Sequence, residues 1–384
     1  MRLEFATAGR IVFGPGAAAE LGPAVARSGR RVFVVTGRNA SRVDALLGGL
    51  RSQGVEVMSF SVPGEPTVSL VQDAVDRLRG FGAECVVGVG GGSALDAAKA
   101  AAALAAAPGT VTDYLEVVGK GLPLASPALP LVAVPTTAGT GAEVTRNAVL
   151  SVPERSVKVS LRGPSLLPSL ALVDPDLAQG LPPRITAETG MDALTQVIEA
   201  YVSSRANPLS DGFALEGIGL AARNLRRVVR DGSDRNGREA MAFAALLSGL
   251  ALTSAGLGAV HGFAAPIGGR FPVSHGAVCA ALLAPVMQIT IRGARSRGTA
   301  PGTVERYRRV ARILTQNPSA EPEEGPLWVR ELAGDLGVAG LARHGVGTGD
   351  ADALCRQAAL SNSMKAHPFV LEPAELAEIL ERAG

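Results

Sequence analysis

CVVGVGGGSALDAAKAAAAL, residues 85–104, runs from a short apolar strand through Gly88, Gly90, Gly91 and Gly92 into a helix opened by Ser93. Two readings fit this text. Small residues serve a tight strand-to-helix turn, or they let backbone N–H groups approach a pyrophosphate while the helix N-terminus adds partial positive charge. Asp96 and Lys99 sit one turn apart on the emerging helix, and PTTAGTGAEVT, residues 135–145, sets a second Gly- and Thr-rich loop directly after another strand. Two such loops at neighbouring strand ends can clasp one dinucleotide, which shifts the balance toward the second reading. The glycine run follows a later strand rather than the first, and Ser93 stands where a third glycine would be, so this is not the usual GxGxxG fingerprint.

Working outward, the strand-like runs RRVFVVTG (30–37), VEVMSF (55–60), ECVVGVG (84–90) and LPLVAVP (129–135) alternate with helical patterns such as TVSLVQDAVDRLRGFG (67–82). That alternation predicts crossover connections and a mostly parallel sheet covered on both faces. After LALVDPDL (170–177) the strand signals fade, GLPPRIT (180–186) punctuates the chain, and Ala- and Leu-rich helical text follows almost to the end. The expected organisation is an α/β domain over residues 1–180 and an all-α domain over residues 181–384.

With 384 residues, 47% hydrophobic and 19% charged, the chain can bury sizeable cores and is not disordered. A formal net charge of +2 gives no general drive toward nucleic acid, and the basic runs around residues 223–238 and 292–312 read as solvated helix faces. Cys85, Cys279 and Cys355 are scattered without CxxC spacing. So sparse and odd a count fits a reducing compartment, and no metal cluster is expected from it. The N-terminal text MRLEFATAGRIVFGPG lacks an apolar signal region. A soluble, cytoplasmic protein with no membrane partner is expected.

GMDALTQVIEAYVSS, residues 190–204, reads as helix with Met191, Leu194, Ile198, Tyr201 and Val202 on its buried face. Asp192 and Gln196 are four residues apart on the other side, where they either face solvent or reach one object together. His261 and His275 are two of only four histidines and flank GFAAPIGGRFPVS, residues 262–274, read here as a loop able to turn two imidazoles onto one ion. Each is alternatively a hydrogen-bonded buried histidine. His275 falls in the first turn of the helix HGAVCAALLAPV, where the helix dipole favours a neutral ring.

Taken in order, GGGSALDAAKA, PTTAGTGAEVT, DPDL with LPPRIT and GMDALT, and VHGFAAPIGGRF with SHG resemble the iron-containing, group III alcohol dehydrogenases. The resemblance runs from FGPG near residue 13 to MKAHP near residue 364. It implies the architecture shared with dehydroquinate synthase, NAD or NADP as cofactor, a divalent metal such as Fe²⁺ or Zn²⁺ in the cleft between the domains, and a homodimer. The implied reaction interconverts a small alcohol, in one version an anionic one, with its aldehyde or ketone.

Carried over by motif, Gly91, Gly92, Ser93 and Asp96 would line the pyrophosphate and nicotinamide ribose, Thr136, Thr137 and Thr140 would contact the nucleotide, and Lys158 would approach the nicotinamide ribose. Gly37, beside Arg38, Ser41 and Arg42, stands where family members often carry an aspartate against the 2′-phosphate of NADP, so NADP should be accepted at least as well as NAD. The catalytic metal centre would be Asp192, His261 and His275, with Gln196 in the position of the remaining ligand.

The family text has histidines where Gln196 and Ala265 stand. An amide oxygen is a weaker ligand for first-row metals, so retention of the ion should be weaker. Ala265 cannot relay a proton. Arg270, between the two histidines, could pair with an anionic substrate group. Two other outcomes remain open: a sugar-phosphate cyclase or lyase related to dehydroquinate synthase, and a catalytically silent dinucleotide binder. Lys158 and Arg270 do not make the basic cluster that a phosphorylated substrate demands.

Overall fold

The computed structural model describes residues 3–298, 300 and 302–384, with the side chains of Ala40 and of Arg42, invoked above beside Gly37, outside the described residues. The chain forms two compact units. One comprises residues 6–137 and 141–178; the other comprises residues 179–384 together with residues 3–5 and 138–140.

The first unit holds eight strands among the described residues: β1 Ile11–Phe13, β2 Arg31–Gly37, β3 Glu56–Val62, β4 Cys85–Gly90, β5 Leu131–Pro135, β6 Asn147–Val152, β7 Val157–Arg162 and β8 Leu170–Val173. Six form a sheet in the order β1-β8-β5-β4-β2-β3, and every pairing in it is parallel. Successive strand residues point to opposite faces. Val32 and Val34 therefore enter one core with Leu21, Val25 and Leu47, while Phe33 and Val35 enter another with Val71, Val75 and Leu78. Helices α1 (Leu21–Ala26) and α2 (Asp44–Ser52) cover the first face; α3 (Val68–Phe81) and α4 (Gly92–Leu104) cover the second. Such double coverage is why these strands read as near-continuous apolar runs.

The strand order reverses at the β2/β4 pair, which is where open α/β sheets bind ligands beyond the strand ends. Gly37 ends β2 and Gly90 ends β4 at that point. An antiparallel hairpin, β6 with β7, adds to the parallel sheet expected from sequence. Its alternating buried residues Ala148, Leu150 and Val152 join the core that includes α4.

The second unit is helical, as its sequence indicates: α5 Pro183–Val202, α6 Pro208–Arg230, α7 Arg235–Ala255, α8 Ala259–Arg270, α9 His275–Arg297, α10 Thr303–Thr315, α11 Glu324–Asp335, α12 Ala351–Leu360 and α13 Pro373–Arg382. Helix α5 is buried on all sides from Gly190 to Val202, so Asp192 and Gln196 do not face solvent. Helix α9 is long and apolar enough to cross a membrane, but it packs as a core helix with 83% of that stretch buried.

The segment read as a glycine- and proline-rich loop is largely helix α8. Pro266 lies inside it. Val260, Phe263, Ala264 and Ile267 recur at helical spacing and are all buried in the unit's core. Burial of that stripe overrides the poor helix propensity of Gly262, Pro266, Gly268 and Gly269.

Candidate functional site

Helix α4 starts directly after β4, and its glycines divide into two groups. A Cβ on Gly88 would lie 2.8 Å from Ala98 Cβ, and one on Gly90 would lie 2.7 Å from Ala94 Cβ. These two glycines let the Ala-rich helix pack against its strand. Gly91, Gly92 and Ser93 are instead partly exposed, and the helix start carries no side-chain cap. The first N–H groups of a helix have no intrahelical partner, so an uncapped, accessible start is a ready anion site. The packing reading holds for Gly88 and Gly90, while the start at Gly91, Gly92 and Ser93 leaves its N–H groups accessible to an anion.

Thr137 borders this start, since a Cβ on Gly91 would meet its side chain at 3.3 Å. Thr136 donates its N–H to the Gly90 carbonyl at 2.9 Å, and Thr140 belongs to the other unit. Asp96 accepts the Val149 N–H at 3.0 Å, which ties the helix to the hairpin. Lys99 is wholly buried, donating to the Ala142 carbonyl and Thr145 Oγ1 at 2.8 Å each and to the Asn147 carbonyl. Burial pulls its pKa below the usual value, against the pull of Asp96 and Glu143. It is a structural pin rather than a cofactor contact. Lys158 lies on β7 with its ammonium paired to Glu65. Around Gly37 a Cβ would find nothing within 4 Å, while Arg38 Nε donates to the Pro63 carbonyl at 2.7 Å.

Three helices of the second unit converge on a donor cluster: Asp192 from α5, His261 from α8, and His275 and Cys279 from α9, with one potential ligand atom from each and all four within 4.8 Å of one another. Asp192 Oδ1 stands 3.3 Å from His261 Nε2 and 3.6 Å from His275 Nε2. Cys279 Sγ is 3.9 Å from His261 Nε2. Donors arranged tetrahedrally about 2.0–2.3 Å from one ion stand roughly 3.3–3.8 Å apart, close to what these side chains show.

Glu199 orients the cluster. Its Oε2 lies 2.7 Å from His261 Nδ1, and its Oε1 accepts the Val260 N–H at 2.7 Å. A carboxylate accepts a hydrogen bond from Nδ1–H and keeps the proton on that nitrogen, which leaves the Nε2 lone pair aimed at the cluster's centre. There it meets a carboxylate and a sulfur. Asp192 Oδ1 is buried and makes no hydrogen bond. So many acceptors facing one another require either extra protons or a cation between them, and the donor set suits a divalent metal.

Without an ion, the facing groups favour the protonated rings. Burial disfavours a charged ring at His261, but Cys279, Asp192 and Glu199 outweigh it and raise its pKa well above the ordinary value. His275 is raised as well, because Cys279 and Asp192 outweigh desolvation. The dipole at the helix start favours a neutral His275; these facing groups act against it. At Asp192, burial is outweighed by His275, His261 and a hydrogen bond from Gln196, which hold its carboxyl below the usual range. Gln196 turns its Oε1 to the Ser248 hydroxyl, which donates to it at 3.1 Å. Ala265 follows His261 by one turn, and Arg270 ends α8 exposed.

Cys279 and Glu199 were missed in the sequence. Cys279 places one sulfur in a set whose other members are a carboxylate and two imidazoles. Its signal was a spacing of four residues from His275; that of Glu199 was a spacing of seven from Asp192, which places an acid on the same face of a buried helix.

A parallel-sheet unit with an uncapped, accessible helix start thus precedes a helical unit whose Asp/His/His/Cys cluster could hold a metal ion. Two family models match the chain: "Iron-containing alcohol dehydrogenase" over residues 8–175 and "Fe-containing alcohol dehydrogenase family, C-terminal" over residues 186–384. The chain belongs to the iron-containing alcohol dehydrogenase family. It is 43% identical over 289 residues to long-chain-alcohol dehydrogenase 1 of Geobacillus thermodenitrificans (strain NG80-2), covering 72% of each chain. It is 36% identical to choline dehydrogenase of Bacillus subtilis (strain 168), over 91% of this chain and 87% of that one. A crystal structure of 1,3-propanediol oxidoreductase superposes with a TM-score of 0.92 at 33% identity, covering 100% of each chain. The protein is an NAD(P)-dependent oxidoreductase interconverting an alcohol with its aldehyde or ketone.

Proposed function

We propose that Asp192, His261 and His275 hold the catalytic divalent ion and that Gly91, Gly92 and Ser93, with Thr136, Thr137 and Thr140, seat the dinucleotide. Residues 1–180 then act as the dinucleotide-binding domain and residues 181–384 as the metal- and substrate-binding domain. The observation that carries the reading is the unpartnered, buried Asp192 Oδ1 facing two imidazoles. When bound, the ion polarises the substrate oxygen and the nicotinamide exchanges the hydride.

The chain's own residues do the positioning. Glu199 fixes the His261 tautomer and keeps Nε2 turned inward. Gln196 steadies the Asp192 carboxylate through its amide and is itself held by Ser248. The start of α4 offers N–H groups to the pyrophosphate, and the buried Lys99 braces the helix behind them. His275, 37% exposed at its side chain, marks the side from which substrate arrives. Ala265 carries no exchangeable proton, so the hydroxyl proton leaves through water or the cofactor ribose. Free thiols at Cys85, Cys279 and Cys355 fit a reducing compartment such as the cytoplasm.

The test is a carbonyl-reduction screen on protein stripped of metal and then reloaded with Zn²⁺, Fe²⁺ or Mn²⁺. Stripping should lower activity by on the order of 10²-fold or more, with return on reloading. Full activity after exhaustive chelation, with no metal detected, would overturn the metal reading; product formed without net change in reduced cofactor would favour the cyclase instead.

NADPH should be used at least as well as NADH, because Gly37 leaves room at the strand end where an acid would repel a 2′-phosphate. Gly37→Asp should then raise the KM for NADPH about tenfold or more while sparing NADH. Unchanged kinetics with either cofactor would refute the assignment.

A further inference from the structure

We infer that Cys279 is a metal ligand, so that the ion sits in a mixed Asp/His/His/Cys set with one thiolate; this rests on the metal reading above. The sulfur is wholly buried and lies 3.9 Å from His261 Nε2. Its donor atom belongs to the same set, within 4.8 Å, as those of Asp192, His261 and His275. An independent observation points to a ligand at that place: Asp192 Oδ1, on a residue 2% exposed, lacks any hydrogen-bond partner and faces the same centre.

Helix geometry makes Cys279 available, because it stands one turn after His275 on α9 and the two side chains share a face. Gln196 is the other candidate for a fourth donor; its Oε1 lies 3.1 Å from Ser248 Oγ, whose hydroxyl also reaches the Ala245 carbonyl at 2.8 Å. On binding, the Sγ–H bond breaks, its proton passes to solvent, and the sulfur lone pair forms the bond to the ion. No electron transfer is involved. The partly exposed His275 side would leave room for a substrate oxygen beside these four residues.

One thiolate changes which ion the site prefers. Sulfur favours softer ions such as Zn²⁺ and Co²⁺ over Mn²⁺ and Mg²⁺, whereas a site of carboxylate, imidazole and amide oxygen discriminates less. The expected order of retention is Zn²⁺ and Co²⁺ well ahead of Mn²⁺, with the gap narrowing in Cys279→Ser.

The experiment loads metal-stripped, full-length protein with Co²⁺ and reads its absorption spectrum. A near-ultraviolet sulfur-to-cobalt charge-transfer band should appear in the wild type and vanish in Cys279→Ser, with the visible bands of bound Co²⁺ retained. In parallel, Zn²⁺ binding should release about one proton more from wild type than from Cys279→Ser near neutral pH. The charge-transfer band is read on wild-type protein alone, so it stands even where the variant folds poorly. Bound Co²⁺ with no charge-transfer band overturns the cysteine assignment and leaves the metal reading intact. Failure of wild type to bind Co²⁺ or Zn²⁺ overturns both.

Discussion

His261→Ala is expected to lower kcat/KM by on the order of 10³-fold and to leave the purified protein largely metal-free. The ring is the most firmly placed donor in the cluster: Glu199 holds its Nδ1 at 2.7 Å, and its Nε2 looks at Asp192 and Cys279. Removing it takes away a strong nitrogen ligand and also leaves Glu199 Oε2 buried with no side-chain donor, a loss of about 1–3 kcal/mol in its own right. The two effects separate experimentally. Metal content by elemental analysis reports the first, and thermal unfolding of metal-stripped wild type and variant reports the second. Retained metal together with kcat/KM within tenfold of wild type would remove His261 from the centre.

Gly276→Ala should be nearly as damaging, although the residue touches no reactant. A Cβ built there lies 2.1 Å from the Glu188 carbonyl oxygen and 2.5 Å from its carbon, both backbone atoms of α5 that cannot swing aside. The first turn of α9 must then move away from α5. His275 precedes Gly276 directly, and Asp192 follows Glu188 by one helical turn, so this movement pulls the two sides of the cluster apart. Overpacking of this kind costs about 1–3 kcal/mol or more, and displacing a catalytic group by about 1 Å costs on the order of 10²-fold in rate. The measurements are the unfolding temperature of the metal-free protein and kcat/KM after saturation with metal. Wild-type values in both would show that α9 relaxes without disturbing His275.

Much of this architecture can be read from the chain because doubly covered strands and amphipathic helices write their burial into local pattern. β2 and β4 stand out as apolar runs, and α3 declares itself through Thr67, which caps its start, and Gly82, which ends it in the left-handed conformation at φ 66°. β1 is three residues long and partly exposed, too short to form a period. The hairpin of β6 and β7 does alternate, but its strands carry Ser and Lys among the apolar residues and are less distinct than the buried runs.

The metal-capable cluster was legible in Asp192, His261 and His275 and illegible in the rest for a simple reason. Sequence shows which residues can donate, and only the fold shows which donors already have partners. Gln196 reads as a ligand candidate in the sequence, and only the fold shows Ser248, 52 residues away, beside its oxygen at 3.1 Å. Cys279 looks isolated until α9 turns it toward His261. Helix α8 was hidden by its own composition, since local propensity argued for a loop and only tertiary packing decided otherwise.

The chain passes between its two compact units after residues 5, 137, 140 and 178, and three residues from the middle of the chain are built into the helical unit. Gly139 supplies the carbonyl that accepts a hydrogen bond from Ser248 Oγ at 3.3 Å, and its missing Cβ leaves room for Thr189, which would otherwise lie 2.8 Å away. A gene fragment starting at codon 179 encodes every helix of that unit yet omits these residues, and with them one of the acceptors within reach of the Ser248 hydroxyl. The halves are therefore not exchangeable cassettes. Recombination between relatives has to carry residues 138–140 and the helical segment from the same parent, so inheritance treats as one block what the linear map draws as two.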